Sequence, residues 1–565
     1  MRVGTRGSAL ARRQADLVAE ALAAIGIPTT IEIILTAGDR RAPDTEWGEG
    51  AFVGAIEAGL IDGSIDIAVH SAKDLPTAEE PALRIAAYLP RADPRDVLVI
   101  RGRAAATDAD TSPSSSLDLL PHGSRVGTDS PRRAGFLRAL RPDLEFHPLH
   151  GNVDTRLRRL DEGATDALVL AAAGLIRLGR SDRIAVRIPA DLLPPAPGQG
   201  ALAIQVRASD TELAARLAAM DDPATRVGVE VERALLAATG GGCRTPVGAL
   251  ASVTGSRLEL LAGFASSNLP RAIIVRAADD LGRRDEVVRM TLQRLADEAV
   301  RAIEDSGRAQ VIVAGGEDTS AATRLALVDR GVIPVEVPAF SIEVDTDGEL
   351  ERVVRAAPPW DWVVVSSANA VRALAIAARE AGCELASAPS LRTARWAAVG
   401  RSTAAALGAA GIHVDHRPTV TTAAALGVEV PLEPGMRVLL PRSDLADNAL
   451  PRQLAARGAV VEEIVAYRTV EAPTASRGQL RRALERRPAA VALSSASAVR
   501  GLLQLAAEIG ATDRVRAIPL AAIGQSTAAE LRRFGLEPAA IATTAGPGGL
   551  ADAVVAAIHV FAEVP

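Results

Sequence analysis

The stretch IDIAVHSAKDLP, residues 65–76, sets an apolar run directly before a short polar loop. The run IDIAVH (65–70) has the continuous apolar character of a buried strand. RVGT (125–128) and DALVLAA (166–172) have the same character, and each is followed by a polar or glycine-bearing turn and a segment with a helical pattern. This alternation predicts α/β layers with parallel strands. Ligands of such sheets bind beyond the carboxyl ends of the strands, so we expect the chemistry in the loops that follow these runs.

The overall composition is that of a multidomain globular protein. The 565 residues are 48% hydrophobic and 23% charged, which is enough material for several cores. The opening MRVGTRGSALARRQADL contains no uninterrupted apolar segment of a secretory signal, and no stretch approaches the roughly 18 apolar residues of a membrane span. The only two cysteines, Cys243 and Cys383, form neither a disulfide framework nor a zinc site. We therefore predict a cytoplasmic protein without membrane association and without a metal.

The basic residues are almost all arginine. Lys73 is the single lysine among 63 basic residues, and a GC-rich genome accounts for the general bias without accounting for that one position. The net charge is −6 and aromatic residues make up 2% of the chain. An acidic total argues against a duplex-binding face, and so few aromatic residues argue against stacking of single-stranded bases. Nucleic acid is therefore not an expected partner.

Lys73 and Asp74 follow the first predicted strand directly. One interpretation is a solvated ion pair in a surface loop. The other is a carboxylate placed at a reacting centre, where it stabilises positive charge or moves a proton. The two residues alone leave both interpretations open.

Three strand–loop–helix junctions carry arginine, in GTRGSAL (4–10), GTDSPRRAGFL (127–137) and GNVDTRLRRL (151–160). A helix N-terminus with an arginine beside it attracts anions. Arg132 and Arg133 fall in the first turn of a predicted helix, where they oppose the helix dipole unless an anion is present. The three junctions together predict a ligand with several carboxylates or phosphates, because the guanidinium fork suits either anion.

From about residue 309 the chain contains an internal repeat. QVIVAGGED (310–318) aligns with RVLLPRSD (437–444), and DRGVIPVEVPAF (329–340) aligns with ARGAVVEEIVAY (456–467) at a spacing of 127 residues. Two further pairs follow in the same order, VVVSSANAVRAL with VALSSASAVRGL and AAVGRSTAAAL with AAIGQSTAAEL. The repeat predicts a duplicated α/β unit with two lobes and a cleft between them.

Eight motifs in residues 1–306 together resemble porphobilinogen deaminase, also called hydroxymethylbilane synthase: TRGS, AVHSAKDLP, DPRDVL, GTDSPRR, GNVDTRL, AAAGLIRLG, PAPGQGALAI and GGGCRTPVG. The resemblance implies that Cys243, in the glycine-led TGGGCRTPVG (239–248), carries a dipyrromethane cofactor through a thioether. Glycines permit unusual backbone angles in such a loop, and a thiol is a nucleophile. Cys383 is interpreted as an apolar filler.

The resemblance also assigns roles to individual residues. Asp74 matches the catalytic carboxylate that stabilises the charge developing as ammonia leaves, and Lys73 beside it is expected to be catalytic as well. The expected cofactor-binding residues are Arg6, Ser8, Ser130, Arg132, Arg133 and Arg156. The expected substrate-binding residues are Phe52, Thr128 and Arg177. This chain departs from the family at His150, where another substrate-binding arginine is usual, and in the acidic loop APDTEWGEGAF (42–52).

The duplicated part, residues 309–565, resembles uroporphyrinogen-III synthase through WVVVSSANAV, AAVGRSTAAAL, VLLPRSD, VAYRTV and AIGQSTAAEL. That family cyclises hydroxymethylbilane with inversion of its last ring. Tyr467, whose repeat partner is Phe340, matches a tyrosine that assists departure of the hydroxyl. The expected substrate-binding hydroxyls and amide are those of Ser366, Ser367, Asn369, Ser402, Thr403, Ser494, Ser495, Ser497, Ser526 and Thr527. Each of these hydroxyls could instead only cap a helix. The arginine usual after the first strand is missing from VIVAGGED.

The resemblances imply a three-domain deaminase followed by a bilobal synthase. The deaminase has two periplasmic-binding-protein-like α/β lobes and a small α+β domain that bears the cofactor. The expected bounds are 1–96 with 198–218 for lobe 1, 97–197 for lobe 2, 219–306 for the small domain and 307–565 for the synthase, its lobe A being 309–345 with 472–565 and its lobe B 346–471.

The expected function is a monomeric bifunctional enzyme, transferase and lyase, that acts on porphobilinogen and hydroxymethylbilane. Two alternatives stay open from the sequence. One is a non-catalytic pair of bilobal anion-binding modules, and the other is an active deaminase with a degenerate synthase part.

Overall fold

The computed structural model describes residues 1–35, 53–77, 80–103, 117–242, 244–316, 320–344, 348–355, 359–420 and 422–562. Two predicted site residues, Phe52 and Cys243, lie outside this description, as does the acidic loop 42–52. The chain forms two compact units. The first consists of Met1–Val311, Ala321–Pro334 and Ala542–His559, and the second of Ile312–Ser320, Val335–Ile541 and Val560–Pro565.

The first unit begins with a five-stranded sheet. Its strands are β1 (Arg2–Thr5), β2 (Thr30–Ile33), β3 (Ile67–Ser71), β4 (Leu83–Tyr88) and β10 (Leu202–Arg207), in the order β2-β1-β3-β10-β4. The helices that pack on it are α1 (Ala9–Ala24), α2 (Gly54–Ile61) and α6 (Thr211–Leu217). The helix α1 buries Val18 and Leu22 on one face, as an amphipathic surface helix does.

A second five-stranded sheet has the same construction. Its strands are β5 (Asp96–Ile100), β6 (Arg125–Gly127), β7 (Glu145–His147), β8 (Ala167–Ala171) and β9 (Val186–Arg187), in the order β7-β6-β8-β5-β9. The helices α3 (Pro131–Leu140), α4 (Val153–Asp161) and α5 (Ala172–Arg177) contribute Phe136, Leu160 and Leu175 to its two cores.

The two sheets are mixed, whereas the sequence pattern predicted parallel layers. The strand β1 is parallel to β3 and β6 is parallel to β8, as expected, but β10 runs antiparallel to β3 and β5 antiparallel to β8. Both antiparallel strands begin where the chain arrives from the other sheet. Leu202 therefore pairs with Ser71 at the end of β3, and Asp96 pairs with Ala171 at the end of β8. The crossings between the sheets thus lie at the same edges as the carboxyl ends of the parallel strands.

The third domain of the first unit is an antiparallel sheet backed by two helices. Its strands β11 (Val247–Thr254), β12 (Arg257–Phe264) and β13 (Ile273–Asp280) pair in sequence order, and its helices are α7 (Pro223–Ala238) and α8 (Arg284–Ile303). Asp222 caps α7 by accepting from the backbone nitrogen of Thr225. Leu235, Phe264 and Leu295 share one core.

A nine-stranded sheet follows, in the order β17-β16-β18-β19-β15-β14-β20-β21-β22. Its strands are β14 (Gln310–Gly316), β15 (Ile333–Val344), β16 (Trp362–Val365), β17 (Arg395–Ala398), β18 (Arg437–Ser443), β19 (Val460–Glu471), β20 (Ala490–Leu493), β21 (Leu520–Ala522) and β22 (Ala540–Ile541). The helices are α9 (Ser320–Asp329), α10 (Glu349–Arg355), α11 (Ala368–Glu380), α12 (Arg401–Ala409), α13 (Ala423–Glu429), α14 (Ala449–Ala456), α15 (Ser476–Glu485), α16 (Ala496–Glu508), α17 (Thr512–Arg516), α18 (Gln525–Arg533) and α19 (Pro547–Ala562).

The predicted repeat is visible in this sheet. The strands β15 and β19 are each 12 residues long and start 127 positions apart, which is the spacing of the sequence repeat. They pair antiparallel from Phe340 opposite Glu471 to Val344 opposite Tyr467. Separate cores lie around Leu374 and Trp396 and around Leu493 and Leu502. The fold is therefore mixed α/β with a bilobal second part, as predicted, and the finer domain bounds stay predictions.

Candidate functional site

The loop after β3 places Lys73 and Asp74. The strand ends at Ser71, and a single 3-10 turn over Ala72–Asp74 turns the chain before the backbone extends again at Leu75. The carboxylate of Asp74 is exposed, and Lys73 is half-buried. This loop lies at the carboxyl end of a parallel strand, which is where ligands of such sheets bind.

The amine of Lys73 faces a glutamine from the returning crossing. Its Nζ donates to Oε1 of Gln199 at 3.1 Å. Burial, together with the nearby Arg133 and Arg132, lowers the pKa of Lys73 to about 8, and Asp74 and Asp96 oppose the shift. The crossing approaches this loop closely because Gly198 has φ +77° and leaves no side chain against the peptide between Ala72 and Lys73. The amine therefore lies in a buried site that two arginines and two carboxylates surround.

Asp96, at the start of β5, receives the two adjacent arginines of α3. It is fully buried and accepts from Arg132 Nη2 at 2.7 Å, from Arg133 Nε and Nη2 at 3.0 and 2.7 Å, and from Gln199 Nε2 at 3.0 Å. Burial by itself would raise the pKa of Asp96, but attraction to Arg132 and Arg133 outweighs burial and holds the pKa well below its ordinary value. Asp96 thus supplies an anion beside the first turn of α3 from within the protein.

Arg132 and Arg133 differ in their remaining contacts. Arg132 also donates through Nη1 to the carbonyl of Pro194 at 2.6 Å, and it is 4% exposed. Burial lowers the pKa of Arg132, and Asp96 opposes the shift. Ser130 caps α3 by accepting from the backbone nitrogen of Arg133, and Thr128 accepts from the backbone nitrogen of Ser130. The predicted residues of this junction therefore lie together. Arg132 donates to two different protein acceptors, Asp96 and Pro194, whereas the side-chain hydrogen bonds of Arg133 go to Asp96 alone among the described contacts.

The next junction is organised by Asp129. Arg156 Nη2 donates to its Oδ2 at 3.2 Å, and His150 Nδ1 lies 3.2 Å from its Oδ1. Arg156 also donates through Nε to the carbonyl of Gly151, and Asn152 caps α4. Burial lowers the pKa of Arg156, and Asp129 opposes the shift. The departure at His150 thus places an imidazole beside a carboxylate that already holds one guanidinium.

Arg177 and the first junction complete the set. Arg177 Nη2 donates to the carbonyl of Gly200 at 2.6 Å, and burial lowers the pKa of Arg177 to about 10. Ser8 caps α1 by accepting from the backbone nitrogen of Ala11 at 3.3 Å, and the half-buried Arg6 lies two residues earlier. All these residues follow the carboxyl ends of β1, β3, β6, β7 and β8.

Sequence reasoning missed two neighbouring residues of α7 that hold this edge together. Glu232 is fully buried and pairs with Arg91 at 2.6 and 2.8 Å, and it also accepts from the backbone nitrogens of Gly198 and Ala251. Arg233 donates to the carbonyls of residues 72, 75 and 76 at 3.2, 3.0 and 2.7 Å. A signal was available, because Glu232 falls at helical spacing on the apolar face of α7 between Val229 and Leu235.

The turn after α7 leads toward Cys243. Gly240 has φ +68°, and the backbone nitrogen of Gly241 donates to the hydroxyl of Thr239 at 3.2 Å. A Cβ on Gly241 would overlap the side chain of Thr245. Gly240 is therefore favoured by its backbone conformation, and Gly241 by the space that the side chain of Thr245 fills.

In the synthase-like part, Tyr467 meets one predicted partner. Its hydroxyl lies 2.9 Å from Oγ of Ser367, which also caps α11 by accepting from the backbone nitrogen of Ala370. Tyr467 is 7% exposed. Ser366 and Asn369 are half-buried beside this cap. The phenol and a helix N-terminus therefore lie together in one lobe.

The matching residues of the other lobe are held by other contacts. Ser495 caps α16, Ser494 donates to the carbonyl of Ala314 at 3.4 Å, and Ser497 accepts from Arg500. Thr527 is 1% exposed and, among the described residues, its hydroxyl has no hydrogen-bond partner. Ser526 of this lobe is exposed. In the lobe of Tyr467, Thr403 is buried, and the side chain of Ser402 lies outside the described part.

Among the described residues, no group of three or more His, Cys, Asp or Glu side chains could hold a metal ion. No helix there is long and apolar enough to cross a membrane.

Three family models match the chain. Residues 1–215 match the dipyrromethane cofactor binding domain of porphobilinogen deaminase, and residues 227–285 match the C-terminal domain of porphobilinogen deaminase. Residues 321–552 match uroporphyrinogen-III synthase HemD.

Similar proteins include porphobilinogen deaminases of three bacteria. That of Acidothermus cellulolyticus is 51% identical over 46% of this chain and 77% of its own length. That of Mycobacterium leprae is 48% identical over 45% of this chain and 78% of its own length. That of Roseiflexus castenholzii is 48% identical over 46% of this chain and 83% of its own length.

Similar solved structures include two uroporphyrinogen-III synthases. A mutant enzyme from Thermus thermophilus is 24% identical, covers 45% of this chain and 99% of its own, and has a TM-score of 0.35. The enzyme from Helicobacter pylori is 17% identical, covers 41% of this chain and 92% of its own, and has a TM-score of 0.28.

Proposed function

The chain belongs to the porphobilinogen deaminase family and also carries a uroporphyrinogen-III synthase domain, and from this premise we propose how its residues divide the work of a bifunctional haem-pathway enzyme. The first part is a transferase that joins four porphobilinogen units into hydroxymethylbilane with release of ammonia. The second part is a lyase that cyclises hydroxymethylbilane. The two alternatives, a pair of binding modules and a degenerate synthase part, are not favoured.

We assign Cys243 as the covalent anchor of the dipyrromethane cofactor. Residues 1–215 match a domain that binds this cofactor, and the described residues fit a group that bears several carboxylates. Arg177 supports the fit, since its one hydrogen bond in the described part goes to a backbone carbonyl and burial weakens its charged form, which a bound carboxylate would restore. When bound, the cofactor supplies the primer to which the first substrate ring is joined.

The observation that carries the proposal is the loop with Lys73 and Asp74. It presents an exposed carboxylate at the carboxyl end of β3, and Arg6, Arg133, Arg156 and Arg177 follow the carboxyl ends of β1, β6, β7 and β8. In the proposed reaction the carbon–nitrogen bond of the porphobilinogen aminomethyl group breaks, and nitrogen leaves with the electron pair as ammonia. Positive charge then develops on the pyrrole, and Asp74 stabilises it.

The cationic residues bind and orient the acetate and propionate side chains. Lys73, Arg6, Arg133, Arg156 and Arg177 supply the charge, and Ser8, Thr128 and Ser130 lie at helix N-termini whose backbone nitrogens favour anions. Arg132, through its contacts with Asp96 and Pro194, positions Arg133. A direct contact of Arg132 with the cofactor and a substrate contact of Phe52 stay predictions.

In the synthase part we assign Tyr467 as the group that assists departure of the hydroxyl from hydroxymethylbilane. The phenol oxygen of Tyr467 and Oγ of Ser367 share one hydrogen bond, which holds the phenol in place. The helix N-termini at Ser367, Ser495 and Thr527 bind substrate carboxylates through backbone nitrogens. Inversion of the last ring, giving uroporphyrinogen III, belongs to this proposal. So do the cytoplasmic location and the monomeric state.

The first experiment is the intact denatured mass of the purified chain beside a Cys243→Ser variant. We expect the wild-type chain to exceed its sequence mass by two linked pyrrole units and the variant to show no excess. An unmodified wild-type chain that stays unmodified after incubation with porphobilinogen would contradict the assignment of Cys243.

A further inference from the structure

The third domain of the first unit has a core to which the synthase-like sequence contributes. Ala321, Leu325 and Val328 of α9 and Ile333 of β15 are at most 5% exposed and belong to the same apolar cluster as Leu295 of α8 and the strands β11 to β13. All four fall within or beside residues 321–552, which match the synthase family. The compact unit and the family match therefore end at different places in the chain.

Polar contacts fix α9 in this position. Arg324 of α9 is 6% exposed, and its Nη1 donates to Oδ1 of Asp297 on α8 at 2.8 Å. The side chain of Asn268, in the turn between β12 and β13, donates to the carbonyl of Asp329 at 2.8 Å. Arg308 in turn donates to the carbonyl of Asn268 at 2.7 Å. A buried arginine that donates to a partly exposed carboxylate, together with two backbone carbonyls that accept side-chain hydrogen bonds, ties α9 to α8 and to the turn between β12 and β13.

A second segment of the synthase-like sequence contacts the turn of residues 239–242, which precedes Cys243 and is called the cofactor turn below. Arg330, directly after α9, pairs with Asp552 of α19 at 3.0 Å. The first residue of α19 is Pro547, and a Cβ built on Gly240 would lie 2.6 Å from its Cδ. Gly240 belongs to the turn that leads to Cys243, so the start of α19 packs directly against that turn.

We propose that residues 321–334 and 542–559 are structural parts of the third deaminase domain, and that they fix the turn before Cys243. The connection between α8 and β14 is only the six residues 304–309, which keeps α9 within reach of α8. Most of the described side chains of α9 are buried. A helix buried on most of its surface is packed against more than one neighbour. The contacts described above are independent of the function of the chain. The importance of the cofactor turn for holding the cofactor rests on the proposed function.

The test compares two full-length variants by hydrogen exchange. Leu325→Ala removes an apolar side chain from the shared core, and Leu480→Ala removes an equally buried leucine from a core of the second unit. We expect exchange of the α8 amides (284–303) to become about tenfold faster or more in Leu325→Ala and to stay unchanged in Leu480→Ala. Exchange of α8 that is unchanged in Leu325→Ala, or raised equally in both variants, overturns the proposal.

A charge-reversal cycle keeps the proposal testable if Leu325→Ala does not fold. Arg324→Asp and Asp297→Arg should each accelerate exchange in α8 and in the turn 239–242, and the double variant should recover at least part of that protection. Additive effects of the two substitutions would contradict the interface. The wild-type intact mass, read in parallel, tests Cys243 as the anchor, so failure of the proposed function is distinguished from failure of the interface.

Discussion

Asp96 explains an arrangement of charge that is unfavourable by itself. Two arginines in the first turn of a helix are repelled by the positive end of its dipole, and the sequence predicts a bound anion that offsets this repulsion. In the structure Asp96 binds both Arg132 and Arg133, and Gln199 connects this carboxylate to Lys73. The junction is therefore preorganised, and a substrate carboxylate would meet cations that already have fixed positions.

Asp74 can be tested without a cost to folding because its carboxylate is exposed. We expect Asp74→Asn to lower the rate of ammonia release from porphobilinogen by about 10²- to 10⁴-fold, since charge on the reacting pyrrole would lose its counter-charge. The thermal midpoint should not change. Asp182→Asn, at another exposed aspartate, is the control and should keep full activity. Full activity in Asp74→Asn would remove this residue from the mechanism.

His150 occupies a position where the family usually has a substrate-binding arginine, and its Nδ1 lies 3.2 Å from Oδ1 of Asp129. A guanidinium carries a permanent charge and a planar fork of donors that suits a carboxylate. We expect His150→Arg to lower KM for porphobilinogen several-fold, with little change in kcat. The measurement is KM in both proteins, and an unchanged KM in His150→Arg would show that this position does not face the substrate.

His70, in β3 shortly before the loop of residues 72–76, should weaken the fold in acid. It is 4% exposed and faces Gln205 Oε1 at 3.0 Å, and burial lowers the pKa of His70 to about 4. The unfolded chain, with a pKa near 6.5, binds more protons than the folded chain between pH 6.5 and 4, so stability falls as the pH drops through this range. The loss reaches about 3 kcal/mol.

Thermal midpoints at pH 7 and pH 5 measure this loss in wild type, in His70→Gln and in the exposed-site control His122→Gln. We expect the midpoint to fall less with acid in His70→Gln than in the other two proteins. Identical acid dependence in all three would place the responsible group elsewhere.

At the scale of single elements, α7 holds the loop of residues 72–76, which contains Lys73 and Asp74. Arg233 donates to three carbonyls of this loop, whereas Arg226 on the same helix donates to Asp221 and to the carbonyl of Ala86. We expect Arg233→Ala to lower kcat at least tenfold with a small change in KM, because Asp74 loses its fixed position. Arg226→Ala should lower stability comparably with little effect on kcat, and Arg233→Lys should restore part of the rate. Equal kcat in the two alanine variants would mean that Arg233 is only structural.

The elements were predictable to the extent that their causes are local. The apolar runs at 65–70, 125–128 and 166–172 correspond to strands 67–71, 125–127 and 167–171, since runs of apolar residues between turns are enough to specify a buried strand. The antiparallel direction of β5 and β10 was not predicted, because the direction of a strand depends on where the chain returns from another sheet. Asp96 was missed for a related reason, because its partners lie 36 and 37 residues away.

At the scale of the whole molecule, the two activities make a single product ratio informative. Hydroxymethylbilane closes without inversion when no synthase acts on it, so idle synthase gives uroporphyrinogen I. We expect Tyr467→Phe to shift the product formed from porphobilinogen from isomer III toward isomer I, with ammonia release unchanged. Phe340→Tyr, at the repeat partner, is the control and should keep isomer III. Unchanged isomer III in Tyr467→Phe would exclude the phenol from ring closure.

The solitary lysine has a practical consequence for the whole chain. A protease that cleaves after lysine has a single site in the 565 residues, the peptide bond between Lys73 and Asp74. The protease must bind the side chain of Lys73, which donates a hydrogen bond to Gln199 in the folded chain. Fragments ending at Lys73 and beginning at Asp74 would therefore report how often the loop of residues 72–76 becomes accessible to the protease. The rate at which these fragments appear would measure the opening of this loop in the full-length chain.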